Sequence, residues 1–341
     1  MTRSRLHYLI IFLLTAVFLY FFFKSVHWNE VWKYLREFRL PFLILTIMLG
    51  PLHLVTRSIR WKFLLHPVKP DLRFGKAVEA TTVGFTVTLL FPARVGEVVR
   101  PIYLARAENL SAGYLMGTIV VERAFDLFTN CFLLGTFLLT RPFFRHHLEL
   151  DAEDLGRLYF WGKLGLVLAA VLFLVIITLY FLKDRASGLF RFVGRPFPAR
   201  VRPGIEKFGQ EFIEGLKFFH SLWRLLGYFG LSLVVWLGIS FLYWVFYTGY
   251  GLKIPYFFIV PYIFLTMIGA SIPTPGMAGG FDYFSKLALT SLYGMDPDRA
   301  VGLTIVIHSL QFVVTCLLGY VILWRNGLSL FQARKMGEGQ S

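Results

Sequence analysis

Charge, sulfur and acidic residues are all scarce in this chain. Asp, Glu, Lys and Arg together make up 16% of its 341 residues, against 56% hydrophobic residues and 18% aromatics, with a mean hydropathy of +0.62. So apolar a chain does not close over one water-exposed core. Cysteine occurs only as Cys131 and Cys316, both within apolar runs, which excludes a disulfide framework and a thiolate metal cluster. No Walker loop, dinucleotide fingerprint, zinc-type His/Glu spacing or nucleophile elbow occurs, and no polar stretch is long enough to house one. No enzymatic activity, cofactor or metal is therefore expected. Acidic residues number 20 against 35 basic ones, a formal charge of +15. Without a groove-reading motif that charge does not indicate nucleic acid; it clusters in connections between apolar runs, where anionic inner-leaflet lipids are its natural partner.

What the chain does have is long apolar runs. At about 1.5 Å per residue, segments over 6–23, 40–61, 113–140, 159–182, 225–247 and 300–324 reach across a hydrocarbon core of roughly 30 Å, and six full spans are expected. The first reads as a retained span, because it is Phe-rich and lacks a small-residue cleavage signature. Two stretches behave differently. Residues 80–91 are apolar but short, end at Pro92, and continue into 98–110, a pair that reads as a re-entrant hairpin near 76–110. Residues 254–292 are interrupted by Pro255, Pro261, Pro273, Pro275, Gly276, Gly279 and Gly280, which break a helix near 271–280. This is a second hairpin near 254–294 or two tilted spans.

Two amphipathic stretches suit the interface plane. Trp28, Val31, Trp32, Leu35 and Phe38 share one helical face, as do Ile205, Phe208, Phe212, Leu216 and Phe219. Nine basic residues fall in 57–106 and nine in 183–224, whereas 141–159 balances its Arg residues with acids; both termini are accordingly expected in the cytoplasm of a multi-pass cell-membrane protein. The halves repeat, with span, broken hairpin, span over 40–140 and again over 225–324. The odd span between them inverts the second copy. The expected organisation is an opening span and interfacial helix (1–39), repeat one (40–140), a linking span with basic linker (141–224), repeat two (225–324) and a tail (325–341).

Three segments carry chemistry. Phe-Pro-Ala-Arg-Val-Gly-Glu-Val-Val-Arg-Pro over 91–101 places Arg94, Glu97 and Arg100 around Gly96. If a helix restarts there, its free N–H groups face the hairpin tip, and Arg94 with Arg100 forms a clamp for phosphate or carboxylate. The plain reading is a solvated cytoplasmic loop. Glu122, Arg123 and Asp126 lie inside the third span, where ionisable groups are costly and functional by default; the structural reading is a salt bridge to Arg94 or Arg100 that pins the hairpin. Ile-Pro-Thr-Pro-Gly-Met-Ala-Gly-Gly-Phe-Asp over 272–282 is the matching break, with Pro275, Gly276 and Gly279 exposing backbone N–H groups to an anion. Asp282 and Lys286 follow at i, i+4. His308, with Gln311, is either proton-responsive or a packing residue.

Pro92, Arg94, Gly96, Glu97 and Arg100, then Glu122, Arg123 and Asp126, then Pro273, Pro275, Gly276 and Gly279 resemble the flippase-like transmembrane region of lysylphosphatidylglycerol synthases, over most of 40–324. The chain departs from that pattern where Gly280 and Phe281 precede Asp282. In bifunctional members this region moves the aminoacylated lipid between leaflets and a separate cytoplasmic domain makes it. Only a short tail follows residue 324, so a stand-alone member is expected. The resemblance implies a translocase or lipid-binding transporter for an anionic or aminoacylated phospholipid or a polyprenyl-linked lipid. Arg94, Arg100 and backbone N–H groups would hold an anionic headgroup, and Glu97, Glu122 and Asp126 would balance charge or bind an amine. A scaffold for a separate lipid-synthesis enzyme, a small-anion transporter and self-association remain open.

Overall fold

The computed structural model describes residues 28–91, 94–140, 152–181, 202–215, 222–272 and 274–326. The expected first span and the acidic connection over 141–151 lie outside the described residues, as do most of the basic linker and the tail. Among the described residues every regular element is helical. The elements are α1 (Trp28–Glu37), α2 (Leu40–Leu65), α3 (Phe74–Leu90), α4 (Gly96–Glu108), α5 (Ala112–Thr140), α6 (Ala152–Phe181), α7 (Arg202–Gly215), α8 (Leu222–Gly249), α9 (Val260–Ser271), α10 (Gly280–Tyr293) and α11 (Pro297–Arg325). Single 3-10 turns sit at Tyr256–Ile259 and Pro275–Met277.

Helices α2, α8 and α11 are long and apolar enough to cross a membrane, and the protein is a multi-pass membrane-helical bundle. Helix α5 matches them in length, at 29 residues, but carries Glu122, Arg123 and Asp126 in its middle. The helices flanking the two breaks are shorter. Those of 17 and 13 residues in α3 and α4, and 12 and 14 in α9 and α10, extend only about 18–26 Å each, less than the hydrocarbon thickness of roughly 30 Å.

Each short pair folds back on itself through glycine. Helices α3 and α4 cross at Gly84 and Gly96, where a Cβ on Gly96 would stand 1.9 Å from the Gly84 carbonyl oxygen. Helices α9 and α10 cross at Gly269 and Gly280, with a Cβ on either meeting the other's carbonyl at 2.3 or 2.4 Å. Only hydrogen fits at these contacts. Gly96→Ala is therefore expected to cost about 3 kcal/mol, the upper end for overpacking, because the obstacle is backbone. Gly135→Ala on α5, where nothing lies within 4 Å, serves as control. Thermal unfolding of the two variants in detergent checks this, and equal melting temperatures would refute it.

The amphipathic helices are docked as well as amphipathic. Tyr34 of α1 presses on Gly302 of α11, and Phe38 just beyond α1 presses on Gly249 while stacking on Tyr250, centroids 4.5 Å apart. Helix α7 lies against the start of α5 through Gly215, Gly113 and Gly117. Two apolar clusters form the core, each drawing on both halves of the chain. One gathers Trp61, Val83, Val99, Leu104 and Val121; the other gathers Phe246, Tyr262, Phe264, Ala288 and Ile307.

Candidate functional site

A polar core of charged side chains is built mainly by two helices that read as apolar spans. Arg57 and Arg60 project from the second half of α2, and Glu122, Arg123 and Asp126 from α5. Arg60 is fully buried. Its Nη1 donates to Asp126 Oδ1 at 2.6 Å and to Ser232 Oγ at 3.1 Å, its Nη2 stands 3.4 Å from Glu122 Oε1, and its guanidinium lies over the Tyr228 ring. Asp126 Oδ1 also accepts from Trp236 Nε1 at 2.9 Å, and its Oδ2 stands 3.5 Å from Arg57 and 3.3 Å from Arg123. Glu122 Oε1 accepts from Arg100 Nη1 at 2.8 Å and from Arg123 Nη2 at 2.7 Å. Charge at this depth is tolerable only because each carboxylate is shared among several guanidiniums.

Arg100 of α4 is locked into this core. Only 3% of its surface is exposed, and its guanidinium stacks 4.0 Å over Trp61, which in turn donates to Thr118 Oγ1 at 3.0 Å. Arg94 is elsewhere. It adopts the left-handed region at φ 53°, unusual for a residue with a Cβ. That turn lets its Nε donate to Glu97 Oε1 at 2.9 Å and its Nη1 to the Ala270 carbonyl at 2.5 Å. The first of these closes the tip of the α3–α4 pair, and the second ties that tip to the end of α9. The two guanidiniums thus do not converge as a clamp: Arg100 anchors α4 to α5, and Arg94 joins the two broken pairs. Glu97 extends the chain of charges to Arg123 Nη1, 3.8 Å away.

The second break is latched to α11. His308 Nε2 lies 2.9 Å from the Gly276 carbonyl oxygen and Nδ1 lies 2.7 Å from Asp282 Oδ1. A carbonyl only accepts, so Nε2 carries a hydrogen. One further hydrogen is shared between Nδ1 and the carboxyl, and the pair is neutral as a unit whichever atom holds it. Asp282 Oδ2 accepts from the Gly279 N–H at 3.0 Å, capping α10. Gly276, Met277 and Gly279 all have positive φ, at 61°, 60° and 84°, which explains glycine at the two outer positions. Pro275 opens the same turn. Lys286 is exposed on α10, and Asp282 pairs with His308 rather than with it.

Between these two assemblies lies a cavity of about 470 Å³. Arg57, Arg94, Glu97, Arg123, Asp126 and His308 supply its polar lining, with His53 and Gln311. Phe85, Leu89, Leu127, Leu242, Ile263 and Met267 supply its apolar lining. Gln311 donates to Tyr243 Oη at 3.0 Å. Of the sequence-predicted site residues, the cavity gathers Arg94, Glu97, Arg123, Asp126 and His308. Arg100 and Glu122 stand behind it, Gly96 serves the helix crossing, and Gly276, Gly279 and Asp282 hold the latch.

Sequence reasoning missed Arg57 and Arg60, counting them as basic charge of a cytoplasmic connection. The available signal was their i, i+3 spacing inside a continuous apolar helix, with His53 one turn before Arg57. Arg57 is 6% exposed, and its guanidinium is flanked by the Phe85 and Trp236 rings, each 5.2 Å away.

Residues 8–319 match the family described as the lysylphosphatidylglycerol synthase TM region. A UPF0104 membrane protein of Methanocaldococcus jannaschii is 21% identical over 326 residues, covering 92% of this chain and 93% of that protein. No solved structure matches.

Proposed function

From the premise that the chain belongs to the lysylphosphatidylglycerol synthase transmembrane-region family, we propose that it is a lipid translocase or lipid-binding transporter whose substrate presents an anionic headgroup. The family is the membrane region of those synthases, not their catalytic part, and the chain is not an enzyme. The observation that carries the reading is the cavity wall. Arg57, Arg94 and Arg123 line it together with apolar side chains such as Leu89, Leu242 and Ile263, which suits a molecule with a charged head and hydrocarbon body. Guanidiniums inside the bundle are worth far more to an anion than the same groups in water.

In this reading residues 40–140 and 225–324 form two inverted repeats, within six full spans, and the short helix pairs enter from opposite faces. Both termini lie in the cytoplasm. The shared glycine crossings support the repeat, and the Arg94 to Ala270 bond supports a meeting of the tips. Movement of one broken pair against the other would open the cavity to each leaflet in turn.

The test is leaflet exchange in vesicles reconstituted with the purified chain. Labelled phosphatidylglycerol, phosphatidic acid and polyprenyl phosphate are supplied separately, and the lipid in each leaflet is counted with a membrane-impermeant quencher. Exchange of at least one anionic lipid is expected to rise about tenfold or more over protein-free vesicles, equivalent to about 1.4 kcal/mol off the barrier. Unaltered exchange of all three would remove the translocase reading.

A further inference from the structure

The core and the cavity wall hold more positive than negative charge, and the excess selects among anions. Arg57, Arg60, Arg94, Arg100 and Arg123 are matched within this cluster by Glu97, Glu122 and Asp126 alone. The His308–Asp282 pair is neutral as a unit, and His53 adds no negative charge. Among the described residues of this cluster, two guanidinium charges therefore lack a counter-charge.

The geometry shows where the deficit falls. Each carboxylate oxygen that accepts a short hydrogen bond does so from Arg60, Arg94, Arg100, Arg123 or Trp236. Arg57 has no such bond. Its Nε and Nη1 and Arg123 Nε are buried without hydrogen-bond partners, as are Nε and Nη2 of Arg60 and of Arg100; of these four side chains only Arg57 and Arg123 line the cavity. Aromatic faces occupy two sides of Arg57, and its nearest carboxylate oxygen, Asp126 Oδ2, stands 3.5 Å from Nη1 and is shared with Arg123. Buried donors of this kind demand acceptors.

We infer that the cavity is built for a headgroup carrying two negative charges, a phosphate monoester or a diphosphate diester, with Arg57 and Arg123 as its principal contacts. This rests on the anionic-lipid reading above and narrows it. A phosphodiester headgroup supplies one charge and leaves one guanidinium unmatched. An aminoacylated headgroup brings an ammonium to a wall that already has surplus cations, and is disfavoured further.

The test compares ligands that differ by one charge. The full chain in detergent micelles at pH 8 is titrated with a fluorescent phosphatidic acid, and three competitors displace it: phosphatidic acid, phosphatidylmethanol of the same chains, and glycerol 3-phosphate. The monoester is close to dianionic at that pH, whereas its methyl ester is a monoanion of nearly equal size. Phosphatidic acid is expected to compete at least about tenfold better than phosphatidylmethanol. Arg57→Gln is expected to shrink that ratio to about twofold, chiefly by weakening the dianion.

Equal competition by the two lipids in the unmodified protein would overturn the charge inference while leaving the anionic-lipid reading in place. Failure of every anionic lipid to bind would overturn that reading itself. Glycerol 3-phosphate matching phosphatidic acid would keep the dianion and overturn the lipid as its carrier. Because the decisive ratio is measured on the unmodified chain, the inference does not depend on whether the Arg57 variant folds.

Discussion

Asp126→Asn is expected to destabilise the protein by about 3–5 kcal/mol, the range for breaking a buried ion pair from one side. The substitution preserves shape, so packing loss is small and the effect is electrostatic. Asp126 takes a short bond from Arg60 and one from Trp236, and its other oxygen faces Arg57 and Arg123. An amide supplies one acceptor, carries no charge, and turns an N–H pair toward guanidiniums that are themselves all donors. The excess of cations then grows in a region that water does not screen. A drop of about 4–7 °C in melting temperature is expected for a chain of this size.

The same physics makes a second measurement decisive. Adding Arg57→Gln to Asp126→Asn removes a cation together with the anion that faced it. The double variant is expected to regain about 1–2 kcal/mol over the single one, a coupling within the range for residues of one network. Melting temperatures of the four proteins in detergent give the comparison. If Asp126→Asn melts within a degree of the parent, the charged core is not what holds α2 and α5 together.

Much of this organisation was legible because helices in a bilayer leave strong traces. Apolar runs located α2, α5, α8 and α11, and prolines with glycines located both breaks. Family membership was also legible, through motifs at the breaks and on α5. The sequence reading went furthest astray with charge near a span boundary. Arg57 and Arg60 lie close enough to the end of α2 to be tallied as loop charge, and hydropathy has no way of telling a buried arginine from one that reaches the headgroups. Helical phase does tell them apart, since Arg57, Arg60 and Trp61 lie on the side of α2 that meets α5 and α8. Arg94 and Arg100 misled in a related way. They are six residues apart and of one type, which suggested one clamp. The left-handed turn at Arg94 sends them to different partners. Likewise Asp282 was read against Lys286 by local spacing, whereas His308 from another helix is its partner. Spacing within a helix is visible in sequence; contacts between helices are not.

Loss of the latch between α11 and the second break is expected to separate binding from movement. His308→Ala leaves the Gly276 carbonyl and the Asp282 carboxyl without the imidazole, each a buried or half-buried polar group whose lost partner costs about 1–3 kcal/mol. The turn they hold contains three residues with positive φ in close succession, and such backbone persists only where its surroundings fix it. Released, the break no longer presents one edge to the cavity, and the alternation between its two faces loses a defined end state. Exchange in reconstituted vesicles is expected to fall about tenfold or more. Competition by phosphatidic acid is expected to change less than about threefold, because Arg57 and Arg123 stand on other helices. His308→Gln offers an amide N–H to Gly276 without the second bond, so an intermediate rate is expected. Asp282→Asn can turn an amide N–H toward the bare Nδ1 but carries no charge and no shared proton, and belongs in the same range. Exchange by His308→Ala at the parental rate, with the protein folded and binding lipid, would show that the break needs no latch. Parallel loss of binding and exchange would place His308 among the groups that hold the headgroup.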